Sequence, residues 1–131
     1  GTHVVPCETH TLADSIAVGT PRNWRRAIAQ ISATHGEMVA VSDEEILEAM
    51  RMTARTATVF GEPAGIAGVA GVRRAIEQNI IKSNETVLVV VTGNGLKDIQ
   101  SAKKAAGSEI VITPTLEALA ASLSRRADRH Q

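Results

Sequence analysis

Aromatic residues are nearly absent from this chain, at 2% of 131 residues, with one Trp, one Phe and no Tyr. A core must therefore come from Val, Ile, Leu, Met and Ala, which the 44% hydrophobic content allows. Cys7 stands alone, which excludes an internal disulfide framework and suits a reducing cytoplasm. Net charge is also missing: fourteen basic residues offset fourteen acidic ones. No overall field recruits nucleic acid or an anionic membrane, so neither is expected as a partner. The uncharged stretch from Pro63 to Val72 falls well short of the ~20 residues a membrane span needs. No basic region followed by a long apolar segment opens the chain, so no signal peptide is expected.

Several chemistries lack their motifs as well. There is no H-E-x-x-H, no Cys-x-x-Cys, no G-x-S-x-G elbow and no G-x-x-x-x-G-K-[ST] loop. His3, His10, His35 and His130 are scattered, and no metal site is expected. Gly93-Asn94-Gly95 begins like a dinucleotide fingerprint, but Asp98 holds the third glycine position. The Arg125, Arg126 and Arg129 cluster reads as a solvated helix tail.

What is present alternates between two periodicities. The first twenty residues are irregular, punctuated by Pro6, Gly19 and Pro21, and read as a segment crossing a surface. Trp24, Ala27, Ile28 and Ile31 share one helix face, with Asn23 as N-cap and His35-Gly36 as the stop. Met38 to Val41 reads as a short strand. Ser42-Asp43-Glu44-Glu45 is a capping box, and its acids also suit the positive end of a helix dipole. Ile46, Met50 and Ala57 mark the buried stripe of that helix, to about Val59.

A glycine-rich helix follows from Pro63 to near Asn79, carrying Gly65, Gly68 and Gly71. Each glycine costs about 1 kcal/mol against alanine, so close packing or direct ligand contact is needed to explain three. Thr86 to Val91 is an apolar strand ending at Thr92-Gly93-Asn94-Gly95. In open α/β folds ligands sit outside the carboxyl ends of strands, which puts the Thr92 hydroxyl where it can face one. Glu62, between Gly61 and Pro63, is either an acid serving the helix dipole or a second group at that site. Lys97 to Ala106 reads as a short helix or turn, and Glu109 to Ile112 as a strand. Thr113 is the expected cap of a last helix, with Pro114 at its first position and Leu116, Leu119, Ala120 and Leu123 turned inward. Alternating strands and helices predict an α/β architecture with a mainly parallel sheet.

Three segments carry a resemblance. Thr11 to Ile16 with Gly19-Thr20-Pro21-Arg22-Asn23-Trp24, then Phe60-Gly61-Glu62-Pro63-Ala64-Gly65, then Thr92 to Asp98 resemble threonine synthases among the fold-type II enzymes dependent on pyridoxal 5'-phosphate (PLP). The segment Val41 to Ile46 is also similar, so the likeness spans nearly the whole chain. It implies a three-layer αβα large domain of the tryptophan synthase β type. It further implies a lyase forming L-threonine and phosphate from O-phospho-L-homoserine and water, cytoplasmic and homodimeric. Thr92 matches the residue that hydrogen-bonds the pyridine nitrogen of PLP; Glu62 lies near the ring face, and Gly93 and Asn94 shape the same wall.

The phosphate loop and cofactor lysine of that family lie upstream, and Lys82, Lys97, Lys103 and Lys104 do not match the latter. No catalytic residue is therefore assigned in this chain. Residues 1–131 read as a single piece, the C-terminal part of the catalytic domain, inactive alone, with the cofactor expected of the full-length enzyme. The missing N-terminal half, or a complementary chain, is then its partner. Two alternatives stay open: a threonine/serine dehydratase-type enzyme, which Thr11-Leu12-Ala13-Asp14 resembles, and a stand-alone non-catalytic α/β module that binds a ligand or regulates a partner.

Overall fold

A computed structural model describes residues 3–107 and 109–127 of the chain, with side chains placed through 124. Its regular elements are helical: α1 (Trp24–Ala33), α2 (Asp43–Thr56), α3 (Pro63–Glu77), α4 (Ile99–Ala106) and α5 (Leu116–Ala127), with 3-10 turns at Asp14–Ile16 and Gly95–Lys97. None of the described helices is long and apolar enough to cross a membrane.

The centre of the molecule is the packing of α2 on α3 and α4. The capping box that starts α2 forms as its sequence requires. The Ser42 N–H donates to Glu45 Oε2 at 2.7 Å, and the Glu45 N–H returns a bond to Ser42 Oγ at 3.3 Å. Ile46, Ala49 and Met50 then face inward against Ile66 and Ala70 of α3 and Ala105 of α4. Ile66 is completely buried, which stabilises the fold by about 1.5–3 kcal/mol relative to an exposed side chain.

Ala13 from the irregular N-terminal segment completes this cluster. Asp43 holds that segment in place: its carboxylate accepts from the Thr11 hydroxyl through one oxygen and from the Leu12 N–H, at 3.0 Å, through the other. Asp43 is thus more than one of three acids facing the helix dipole; its long-range role is a tether. Further along, the Cys7 N–H donates to the Gly19 carbonyl at 3.2 Å and closes a loop.

Two helix boundaries and one helix face require correction. Helix α2 ends at Thr56, so Ala57 is its exposed C-cap and leaves the buried stripe to Ala49. Thr58, at φ 55°, then reverses the chain, and the Val59 N–H folds back onto the Thr53 carbonyl. The cap of α5 is Thr115, whose Oγ1 accepts from the Ala118 N–H at 3.2 Å; Thr113 lies before the helix. Leu116, Leu119, Ala120 and Leu123 are exposed where they were expected inward, and Ser122 is buried on that helix instead. The reading of the Arg125, Arg126 and Arg129 cluster as solvated, and that of His130, lie outside the described side chains.

The expected sheet shows the largest difference. Residues 38–41, 86–92 and 109–112 form no strand, and no ladder joins them to anything described. A strand exists only where its N–H and C=O groups have a neighbour, and these segments have none. The consequence is exposed apolar chain: Leu88 is 88% and Val111 89% exposed. Gly68 is exposed too, and nothing lies within 4 Å of a side chain built at Gly71.

Candidate functional site

A single antiparallel bridge, Gly61 to Asn94, brings together two segments thirty-odd residues apart and makes the corner of interest. Two backbone bonds lock it. The Glu62 N–H donates to the Gly93 carbonyl at 3.0 Å, and the Gly95 N–H donates to the Phe60 carbonyl at 3.0 Å. Pro63 starts α3 immediately afterwards, and the Glu62 carbonyl accepts the first helical bond, from the Ile66 N–H at 2.9 Å.

Two glycines permit this approach. A Cβ at Gly65 would stand 2.8 Å from the backbone nitrogen of Gly93, closer than real side chains come. A Cβ at Gly93 would collide with the Glu62 carboxylate. Part of the glycine content that sequence alone left between packing and ligand contact is thus packing, of α3 against the turn.

Glu62 is almost fully buried, with 5% of its side chain exposed, and a lone carboxylate there would be costly. Its neutralising partner is Lys97, whose Nζ lies 3.1 Å from Glu62 Oε1 while the lysine side chain stays 62% exposed. Glu62 makes no side-chain bond to the helix N-terminus, so its carboxylate does not act as a cap. Lys97 is held in turn by Asn94, whose carbonyl accepts the Lys97 N–H at 3.0 Å. Asn94 Oδ1 also accepts from the Leu96 N–H at 2.9 Å, which fixes the turn.

Downstream, Asp98 caps α4 by accepting from the Ser101 N–H at 3.0 Å. The Ser101 hydroxyl first, and then its backbone N–H, hold the Asp98 carboxyl below the usual carboxylate range.

The structure therefore joins Glu62, Gly93 and Asn94, and carries Thr92 on the same turn. Thr92 is exposed, and its hydroxyl has no hydrogen-bond partner among the described residues. Lys97 was read from sequence only as part of the turn motif. Its pairing with a carboxylate 35 positions away has no local signal. Lys82, Lys103 and Lys104 are exposed and away from this corner's bonds. A separate groove of about 260 Å³ between α2 and α4, lined by Met50, Ala54, Arg55, Phe60 and Ala105, contains none of the expected site residues.

Residues 1–93 match the family model for pyridoxal-phosphate dependent enzymes, and the chain belongs to that family. Among its relatives are proteins named threonine synthase. The one from Bacillus sp. (strain ULM1) is 48% identical over 96 residues, 73% of this chain and 27% of its own length. That from Synechocystis sp. is 41% identical over 115 residues, 86% of this chain and 30% of the relative. That from Methanocaldococcus jannaschii is 38% identical over 102 residues, 78% of this chain and 25% of the relative. The chain thus spans less than a third of the length of the relatives it matches.

The corner can be tested against the cofactor this family uses. An unpartnered hydroxyl at Thr92 offers a donor for a ring nitrogen, and the backbone that carries it is fixed at Glu62 and Phe60. That fits one side of PLP.

Proposed function

We propose that this chain supplies the ring-nitrogen side of the PLP site in an enzyme that converts O-phospho-L-homoserine and water to L-threonine and phosphate. The observation that carries the reading is Thr92. Its hydroxyl, without a partner among the described residues, stands on a turn pinned to the start of α3 by the Glu62–Gly93 and Phe60–Gly95 bonds. The threonine synthase name shared by relatives at 38–48% identity supports the reaction. In this reading Thr92, Gly93, Asn94 and Glu62 face the cofactor. Bound there, PLP supplies an electron sink for carbanionic chemistry on an amino-acid substrate. Thr92 offers that nitrogen a neutral hydroxyl, which cannot hold it as a full cation the way a carboxylate does, and so softens the sink.

The cofactor lysine and phosphate loop come from elsewhere in a longer enzyme or from a complementary chain, and residues 1–131 alone are inactive. The unpaired segments 38–41, 86–92 and 109–112 become strands of a mainly parallel sheet, in a three-layer αβα domain, when that remainder supplies their neighbours. Exposed apolar backbone of this kind is a template for such pairing. The enzyme is a homodimer of the cytoplasm.

The test is to supply the full-length protein with PLP and O-phospho-L-homoserine and follow products. Equal release of phosphate and threonine supports the reading. If O-phospho-L-homoserine releases no phosphate, and threonine or serine supplied in its place is converted to an oxo acid and ammonia, the enzyme is instead of the dehydratase type. Absence of both, with no cofactor uptake, replaces enzyme by binding module.

A further inference from the structure

We infer that Lys97 is a positioning residue for this site, acting through the buried carboxylate of Glu62 on the turn that carries Thr92. The inference rests on the functional reading above only for what the turn faces; the coupling itself is read from geometry. Glu62 Oε1 accepts from Lys97 Nζ at 3.1 Å, and no other side-chain partner of that carboxylate occurs among the described residues. The carboxylate also fills the space where a Gly93 side chain would go, so it touches the backbone one residue from Thr92. Removing the ammonium leaves a buried carboxylate without its hydrogen-bond donor and counter-charge, a cost relieved when the side chain turns toward water. That movement alters what Gly93 packs against. Lys97 itself is held by the same turn, since its N–H donates to Asn94. The ion pair, the Gly93 contact and the Asn94 turn form one closed unit around the cofactor-side wall.

The experiment compares Lys97→Met, Lys97→Arg, Glu62→Gln and the double variant Lys97→Met/Glu62→Gln in the full-length protein. Two quantities are measured: the PLP dissociation constant, and hydrogen exchange of residues 92–98 without cofactor. Lys97→Met is expected to weaken PLP binding about tenfold, a modest figure because Lys97 is largely solvated. It should also speed exchange across the turn. Lys97→Arg should restore both to within about threefold, since it keeps the charge. In the Glu62→Gln background, Lys97→Met should add less than about twofold, because the charge it serves is gone. A merely structural lysine would cost the same in both backgrounds; that outcome, or no effect of Lys97→Met on either quantity, overturns the inference. If the unaltered protein takes up no PLP, the functional reading fails, and exchange at residues 92–98 still decides the role of Lys97.

Discussion

Gly93→Ala puts the smallest side chain into the tightest part of the corner. The added methyl carbon would fall 2.5 Å from Glu62 Cδ and 2.8 Å from Cγ, well inside ordinary contact. Retreat of the turn onto α3 is opposed by Gly65, which packs so near the Gly93 backbone that a side-chain carbon there would fall 2.8 Å from its nitrogen. Glu62 must therefore swing, giving up its place 3.1 Å from Lys97. Overpacking of this kind costs about 1–3 kcal/mol. A buried acceptor left without its partner adds about 1–3 kcal/mol. Partial relaxation brings the sum to roughly 2–4 kcal/mol, measurable as a lowered urea midpoint at constant m-value. Glu62→Ala should make room for the methyl group, so the double variant should lose less than the sum of the two singles. A Gly93→Ala protein within about 0.5 kcal/mol of its parent, or strict additivity with Glu62→Ala, would refute the packing argument.

Other consequences follow from the tether and the caps. Asp43→Ala removes both acceptors of the Thr11–Leu12 segment while leaving the Ser42–Glu45 box intact; proteolysis near Thr11 should accelerate, with helix content nearly unchanged. Asp98→Ala removes the cap of α4 and should cost about 1 kcal/mol. Because the folded state holds the Asp98 carboxyl below its ordinary value, its stabilisation is present above the unfolded value and is lost as pH falls through the folded one. Stability measured from neutral pH downward should therefore fall less on that acid limb in Asp98→Ala than in the parent.

How much could be read in advance followed the range of each interaction. The Ser42–Glu45 box was legible because all its parts lie within four residues. The Pro63 start of α3 and the His35-Gly36 stop of α1 were legible for the same reason. The end of α2 was placed about three residues late, with Ala57 in its buried stripe, because an alanine at helix spacing does not reveal that Thr58 reverses the chain. Thr113 and Thr115 are equally good caps on paper, and the choice between them is made by where the chain turns.

The site divides along the same line. The Thr92 turn and the Glu62-Pro63 helix start could each be singled out from composition. Their meeting depends on the Gly61–Asn94 bridge, which no local pattern encodes. The Lys97–Glu62 pair is a further step removed, since it exists only once that bridge has formed. The sheet was expected from apolar runs, but a run cannot supply its own neighbour, and 86–92 remains unpaired among the described residues.

The most direct test of the central claim is the ¹⁵N chemical shift of the PLP pyridine nitrogen, bound to the full-length protein before and after Thr92→Val. Thr92 is exposed and outside the packed core, so the substitution should leave the fold intact. If Thr92 faces the cofactor, the parent gives the shift of a neutral, hydrogen-bonded nitrogen, and the valine variant moves it to that of an unbonded one. An identical shift in both proteins would place the cofactor elsewhere and contradict the account.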